Sequence, residues 1–390
     1  MNTIQKILYI NPKLEVWWDS SPLIYPYWSK KILDTDSTNY NKVNKDFINK
    51  LINVNNPTNS IIIGSTTNPM LCLKVLQIDC YYWKKIINNI VINNNAMKVE
   101  SLFWETYKQI IKRSSDLFLP LYKDSEYRAG FVSAQLDIRT LDDVHQMVKQ
   151  GIELSSLNPN IIIKVPITEC GIEAVKILTS KGISTNCTLV FVLSQIINCA
   201  KVIDESLTVA YHNNVDLSKW RSVISFMTSR FGELGSLKSE SVKKGIAINE
   251  DDVRMSEIAI LKKAYNIIKE RGFRSKLLAC SLKTGPAING KKQFWHLEHL
   301  GNAEIIITCP PVLFEQLISQ HFDIKLRSNI EQEIPSFIMN KLSKFEYFNK
   351  AYSEEGYDQK TYNKILPLKQ TVKEHIVATN KMIKLIKKYL

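Results

Sequence analysis

Short apolar runs recur along the chain, each followed by polar residues and then by a segment with helical spacing. Glu15–Asp19 (EVWWD) is the first, and Ser60–Gly64 (SIIIG) leads into STTNPMLCLKVLQ. Gly130–Leu136 (GFVSAQL) precedes a helix expected to start near Thr140. Asn160–Pro166 (NIIIKVP) leads into TECGIEAVKILTSKG, and Ser184–Phe191 (STNCTLVF) into LSQIINCAKVI. Ser222–Met227, Lys276–Ser281 and Ala303–Thr308 complete the series. Continuous β-branched runs alternating with helices are the pattern of parallel strands buried on both faces. Eight such units predict an α/β fold, a closed (β/α)8 TIM barrel.

The helical signals agree. Thr140 with Asp143 makes a capping-box pattern, and Leu141, Val144, Val148 and Ile152 fall on one helical face. Ile172, Val175 and Leu178 form a similar stripe, which Gly182 ends. Asn68 before Pro69 reads as an N-cap followed by proline in the first turn. Two stretches exceed a minimal barrel. Asp36–Pro57, rich in Asn, Lys and Thr, is expected to cover one end. From Phe322 onward the chain is lysine-rich and helical, with Val372, Ile376, Ile383 and Ile386 as the expected apolar stripe. This predicts a barrel over residues 1–321 and a helical extension over 322–390 that packs on the barrel. That last stripe is narrow and lacks Trp or Phe, which favours packing on protein over lying on a membrane.

Composition narrows the function classes. The 390 residues are 45% hydrophobic and 23% charged, an ordinary globular balance. The net charge is +13, yet the lysines are scattered apart from Lys381, Lys384, Lys387 and Lys388. With no arginine-rich stripe and no nucleic-acid motif, the charge suits anionic metabolites better than nucleic acid. The seven cysteines include no CxxC pair and sit mostly in apolar runs, so a reducing, cytoplasmic location is expected, with no zinc site. No apolar segment is long enough to span a bilayer, and no signal-peptide pattern opens the chain.

In such a barrel the chemistry sits at the C-terminal ends of the strands. The polar residues ending the runs are therefore the candidates: Asp19, Asn68, Gln135, Lys164, Asn186 with Thr188, Ser225, and Ser281 with Lys283. Lys164 interrupts a run, Ile161 to Pro166, that otherwise reads as buried. Desolvation disfavours an ammonium, and a neutral amine on a rigid strand can condense with a ketone. The bland alternative is a lysine that snorkels outward or pairs with Asp19. Ser225 and Arg230 could bind a phosphate, with Lys283 as a second cation; surface ion pairs would explain them equally. His296-Leu297-Glu298-His299 matches no zinc signature, and Asp137 and Arg139 are expected to pair with each other or with a neighbour.

The segments TTNP (Thr66–Pro69), VSAQLDIR (Val132–Arg139), IIIKVPIT followed by GI (Ile161–Ile172), GISTNCTLVF (Gly182–Phe191) and SVISFMTSR (Ser222–Arg230) together resemble the transaldolases. Order and spacing follow the family from about Leu14 to Leu317, and the insertion between Gln195 and Trp220 resembles its longer bacterial form. The resemblance implies a class I mechanism in a barrel, without cofactor or metal. It implies that Lys164 is the Schiff-base lysine and that Asp19 is the acid/base for the sugar hydroxyl. Asn68, Thr66, Ser133, Asn186 and Ser225 would hold the dihydroxyacetone unit and substrate hydroxyls, and Thr188 would help position the catalytic water. Ser225, Arg230 and Lys283 would hold the phosphate. The implied partners are sugar phosphates or related carbonyl compounds, handled by a monomer or homodimer.

One position departs from the family. Gln135 stands where transaldolases carry a glutamate that moves protons through water during imine formation. An amide can orient a water but cannot exchange its proton near neutral pH. The related fructose-6-phosphate aldolases also use glutamine there, paired with a tyrosine on the sixth strand where this chain has Met227. Three readings therefore stand: a transaldolase-like enzyme, an aldolase or specialised-metabolism enzyme using the same imine on another donor or acceptor, and a silent barrel that binds a sugar phosphate.

Overall fold

A computed structural model describes residues 3–35, 42–53, 55–94, 97–319 and 330–390. Eight parallel strands close a barrel: β1 (Glu15–Trp18), β2 (Gly64–Thr66), β3 (Phe131–Gln135), β4 (Ile161–Pro166), β5 (Thr185–Val190), β6 (Ser222–Met227), β7 (Lys276–Cys280) and β10 (Ile306–Cys309). They follow one another around the barrel in chain order, with β10 closing against β1. Between β7 and β10 lies a small antiparallel hairpin, β8 (Ala287–Ile288) and β9 (Lys291–Lys292). The strands are short and buried almost throughout, as their β-branched runs require.

Side chains alternate between the barrel interior and the surrounding helices. Along β1 the inward set is stepped. Glu15 at the N-terminal end pairs with Arg221 and, at 2.9 Å, with Lys276. Trp17 lies above it, wholly buried, its indole N–H donating to Glu15 at 3.1 Å. Asp19 tops the column. Gly64 on the neighbouring strand leaves room for that indole, since a Cβ there would lie 2.5 Å from the Trp17 ring. Register then sets the chemistry: Gln135 pairs with Lys164 across β3 and β4, and Lys164 with Asn186 across β4 and β5.

Several local expectations shift. In SIIIG the isoleucines precede the strand: Ile61 and Ile62 donate to the carbonyls of Lys50 and Leu51, and the barrel ladder proper starts at Gly64. The last strand likewise runs later, Ile306–Cys309, because Ala303 closes a turn onto Leu300. Ile138–Thr140 forms a 3-10 turn, and the helix is Val144–Ser155, with Asp143 itself as the N-cap accepting from Gln146. Its buried face is Met147, Gly151 and Leu154, and Ile152 is exposed. Asn68 does cap Pro69–Ile78, its side chain accepting from Leu71 at 3.0 Å. Gly182 adopts φ +75° after Glu169–Ser180, whose Ile172, Val175 and Leu178 are buried.

Of Asp36–Pro57, residues 36–41 and 54 lie outside the described residues; Lys42–Leu51 is a helix that buries Phe47, Ile48 and Leu51. It lies in the connection from β1 to β2, where the Lys50 and Leu51 carbonyls accept from Ile61 and Ile62. The expected boundary at 321/322 also falls outside the described residues. Beyond it, helices Ser336–Leu342 and Glu346–Tyr352 pack on the barrel's helices, and the Tyr347 hydroxyl donates to the Phe231 carbonyl at 3.0 Å. The long helix Leu366–Ile386 crosses the C-terminal rim of the barrel. Its buried face is Leu368, Thr371, His375, Ala378, Thr379, Met382 and Ile386, one step round from the expected stripe. Val372, Ile376 and Ile383 flank that face, partly buried. No helix among the described residues is long and apolar enough to cross a membrane.

Gly64→Ala is expected to destabilise the fold by about 1–3 kcal/mol, because the Trp17 indole has no free space to enter. Urea unfolding monitored by tryptophan fluorescence measures this; an unchanged midpoint would show that the ring can move aside.

Candidate active site

A cavity of about 630 Å³ opens at the C-terminal end of the barrel, lined by Asp19, Asn68, Lys164, Met227, Arg230, Ser281 and His375 among others. Lys164 lies at its inner end. β4 is held on both sides, so the side chain cannot swing out to water; its Nζ donates to the Thr67 carbonyl at 3.3 Å. Burial pushes the Lys164 pKa down, against the opposing pull of Cys280, Asp19 and Cys72. Burial likewise raises the Asp19 pKa, while Lys164, the Thr66 hydroxyl at 2.8 Å and Arg230 pull it back. The two groups thus move toward each other, amine toward neutral and carboxyl toward protonated, which is the disposition that proton exchange needs.

A second tier supports them inside the barrel. Ser225 donates to Asn186 Oδ1 at 2.7 Å, and Asn186 Nδ2 donates to Ser133 at 3.0 Å, so three strands share one buried chain of hydrogen bonds. Thr66 bridges Asp19 and Thr308. Thr188 is buried at the level of Pro166 on the adjacent strand. Asn68 spends its carbonyl oxygen on the helix cap, which leaves its amide N–H groups for a ligand. Cys280, beside Lys164, has its thiol pushed up to about 12 by burial and stays protonated.

The phosphate residues fall out differently. Arg230 reaches the rim, where its guanidinium donates to Glu374 at 2.7 Å and Thr371 at 3.2 Å, both on helix Leu366–Ile386. Lys283 does not line the cavity. The chain turns at Ser281 (φ +57°), the Lys283 backbone N–H goes to His296, and its exposed ammonium is held by Glu233 at 2.6 Å. His296 itself donates from Nε2 to the buried Glu257 at 2.7 Å, and no metal-ligating cluster occurs among the described residues. Asp137 and Arg139 pair with each other as expected.

Sequence reasoning missed His375. The long helix brings it over the barrel mouth, where its Nδ1 lies 3.2 Å from Gln135 Nε2. Burial, with Lys164 and Arg230 adding repulsion, lowers its pKa to about 3. The signal was available: Thr371, His375, Thr379 and Met382 recur at helical spacing. It is masked because the apolar residues of this helix, Val372, Ile376 and Ile383, form a second stripe beside it.

Residues 36–364 match the family described as Transaldolase/Fructose-6-phosphate aldolase. The chain belongs to this family. A transaldolase of Trichodesmium erythraeum is 25% identical over 304 residues, covering 72% of this chain and 78% of that protein. Transaldolase 2 of Streptomyces coelicolor is 28% identical over 218 residues, 54% of this chain and 55% of its own. A probable transaldolase of Parabacteroides distasonis is 51% identical over 76 residues, 20% of this chain and 34% of that one. The protein is a transaldolase-like enzyme with the barrel its family motifs imply. His375 and Glu374 lie past the matched residues, and Asp19 before them.

The His375 pKa sets a pH dependence of stability. Its folded value near 3 lies below the unfolded value of 6.5, so between these pH values the unfolded chain binds the extra proton. Stability contributed by the neutral ring is present above pH 6.5 and is lost as pH falls toward 3. His375→Phe should therefore flatten the slope of unfolding free energy against pH across that window by about 1.4 kcal/mol per pH unit. Denaturant titrations at a series of pH values test this; parallel curves would show that the ring is solvated when folded.

Proposed function

We propose that the protein transfers a dihydroxyacetone unit between sugar-type carbonyl compounds through a Schiff base on Lys164. The observation that carries this reading is the buried amine of Lys164, its pKa lowered by burial, sharing one cavity with Asp19 and Asn68. The Lys164 nitrogen attacks the ketose carbonyl carbon to give a carbinolamine, which loses water to form the imine. Asp19 takes the proton of the hydroxyl beside the scissile bond. The C–C bonding pair flows into the imine as an enamine, and the first aldehyde leaves. Attack of the enamine on an acceptor aldehyde, return of the proton from Asp19 and hydrolysis complete the cycle. Asn68 and the Ser225–Asn186–Ser133 chain supply hydrogen bonds to the unit's hydroxyls, with Thr66 orienting Asp19 and Thr188 beside the water path. The unpaired cysteines, five of them buried, suit a cytoplasmic enzyme.

A specific observation favours a second reading in which the donor or acceptor carries no phosphate. Arg230 already has a carboxylate partner in Glu374, Lys283 is turned away, and Gln135 with Met227 gives a proton inventory unlike that of a transaldolase. A phosphorylated substrate must compete with Glu374 for the guanidinium.

Two measurements test these readings. Borohydride in the presence of dihydroxyacetone or a ketose phosphate should leave a reduced adduct on Lys164 by mass spectrometry, absent in Lys164→Ala; no adduct with any ketose in a panel would overturn the mechanism. Glu374→Gln should lower KM for phosphorylated ketoses by about fivefold, the equivalent of ~1 kcal/mol, without lowering it for dihydroxyacetone. Equal effects on both would mean that Arg230 does not hold phosphate.

A further inference from the structure

The contact between Gln135 and His375 fixes the state of the imidazole. An amide nitrogen has no lone pair to accept with, so Gln135 Nε2 donates and His375 Nδ1 accepts at 3.2 Å, which places the imidazole proton on Nε2. The ring lines the same cavity as Lys164, Asp19 and Arg230. Among the described residues Nε2 has no hydrogen-bond partner, and neither has the buried Gln135 Oε1. A donor in the cavity and an acceptor on the strand paired with that of Lys164 thus remain uncommitted, carried by residues that are 3% and 2% exposed.

We propose that His375 is a catalytic residue: its Nε2–H holds the carbonyl oxygen of the ketose while Lys164 attacks, and Gln135 is the positioning residue that sets this tautomer. The assignment rests on the Lys164 reading above and deepens it. As the Nζ lone pair forms the C–N bond, the carbonyl π pair moves onto oxygen. The charge developing there is met by the Nε2–H hydrogen bond. A proton then passes from the new ammonium to that oxygen, giving a neutral carbinolamine, and the imidazole keeps its own proton throughout. The ring stays uncharged for this task because it is buried and faces Lys164 and Arg230, with Asp19 across the cavity and the neighbouring Glu374 engaged by Arg230. A neutral imidazole donor is suited to a developing oxyanion, since it enters the step without a charge to desolvate.

The amide at position 135 now has a purpose. A carboxylate there could only accept, so it would draw the proton to Nδ1 and turn a lone pair toward the substrate oxygen. Gln135 and His375 are a matched pair, and the histidine comes from a helix that lies beyond the residues matching the family.

The test uses the whole 390-residue chain. Nitrogen-15 NMR of labelled histidine at pH 7 should show His375 with a bare Nδ1 and a protonated Nε2. The rate of borohydride-trappable adduct formation with dihydroxyacetone should fall about 10²-fold in His375→Ala. It should recover in part in His375→Gln, which restores an N–H donor, and fall in Gln135→Glu. A proton on Nδ1, or a charged ring, overturns the proposal, and this readout needs no variant to fold. Adduct formation at the wild-type rate in a folded His375→Ala protein overturns the role of His375 alone. A wild-type protein that forms no adduct overturns the Lys164 reading beneath it.

Discussion

Lys164 projects from a strand paired on both sides, in a barrel whose interior leaves an ammonium almost nothing to be solvated by. Its one hydrogen bond among the described residues is a long one, 3.3 Å, to the Thr67 carbonyl. That shortage of solvation pushes the amine toward its neutral form, and neighbouring features are arranged around it. Asp19 is close enough to feel the amine, which pulls its pKa down while burial raises it. The serine–asparagine chain satisfies its own polar atoms without reaching for the nitrogen. Cys280 and Cys72 stay as thiols and bring no anion that would restore the charge.

The C-terminal helix changes what the barrel mouth can do. It lays Glu374 on Arg230 and His375 on Gln135, so two positions that the barrel would otherwise offer to substrate are engaged from within the chain. Both contacts belong to one turn of one helix. A shift of the helix that frees the guanidinium therefore also moves the imidazole, so that under the proposed mechanism substrate recognition and imine formation would be mechanically tied.

Much of this was legible in the sequence. The eight apolar runs located the strands, and in β3 to β7 they did so nearly residue for residue, because a parallel strand buried on both faces leaves an unbroken hydrophobic signature. The strand-end rule picks out Lys164, Asp19 and Asn68, which the structure brings to one cavity. What failed did so for physical reasons. In SIIIG and at Ala303 the apolar residues serve the approach to the strand. In Val144–Ser155 a buried glycine, Gly151, carries no hydrophobic signal, so the face was read one step off. In Leu366–Ile386 the buried surface covers a polar cavity, and a helix over such a mouth must itself be polar there; the stripe of Val372 and Ile376 was only its margin. Lys283 was misplaced because position along a strand says nothing about a left-handed turn at Ser281.

At the opposite end, Trp17 and the Glu15–Arg221–Lys276 cluster fill the barrel beneath the amine, and Gly64 lets the indole seat fully. With that floor filled, the route to Lys164 seen among the described residues is the cavity at the C-terminal end. If Lys164 forms the proposed imine, substrate, the water shed on condensation and the first product share that passage, and the departing fragment clears it before a second sugar enters.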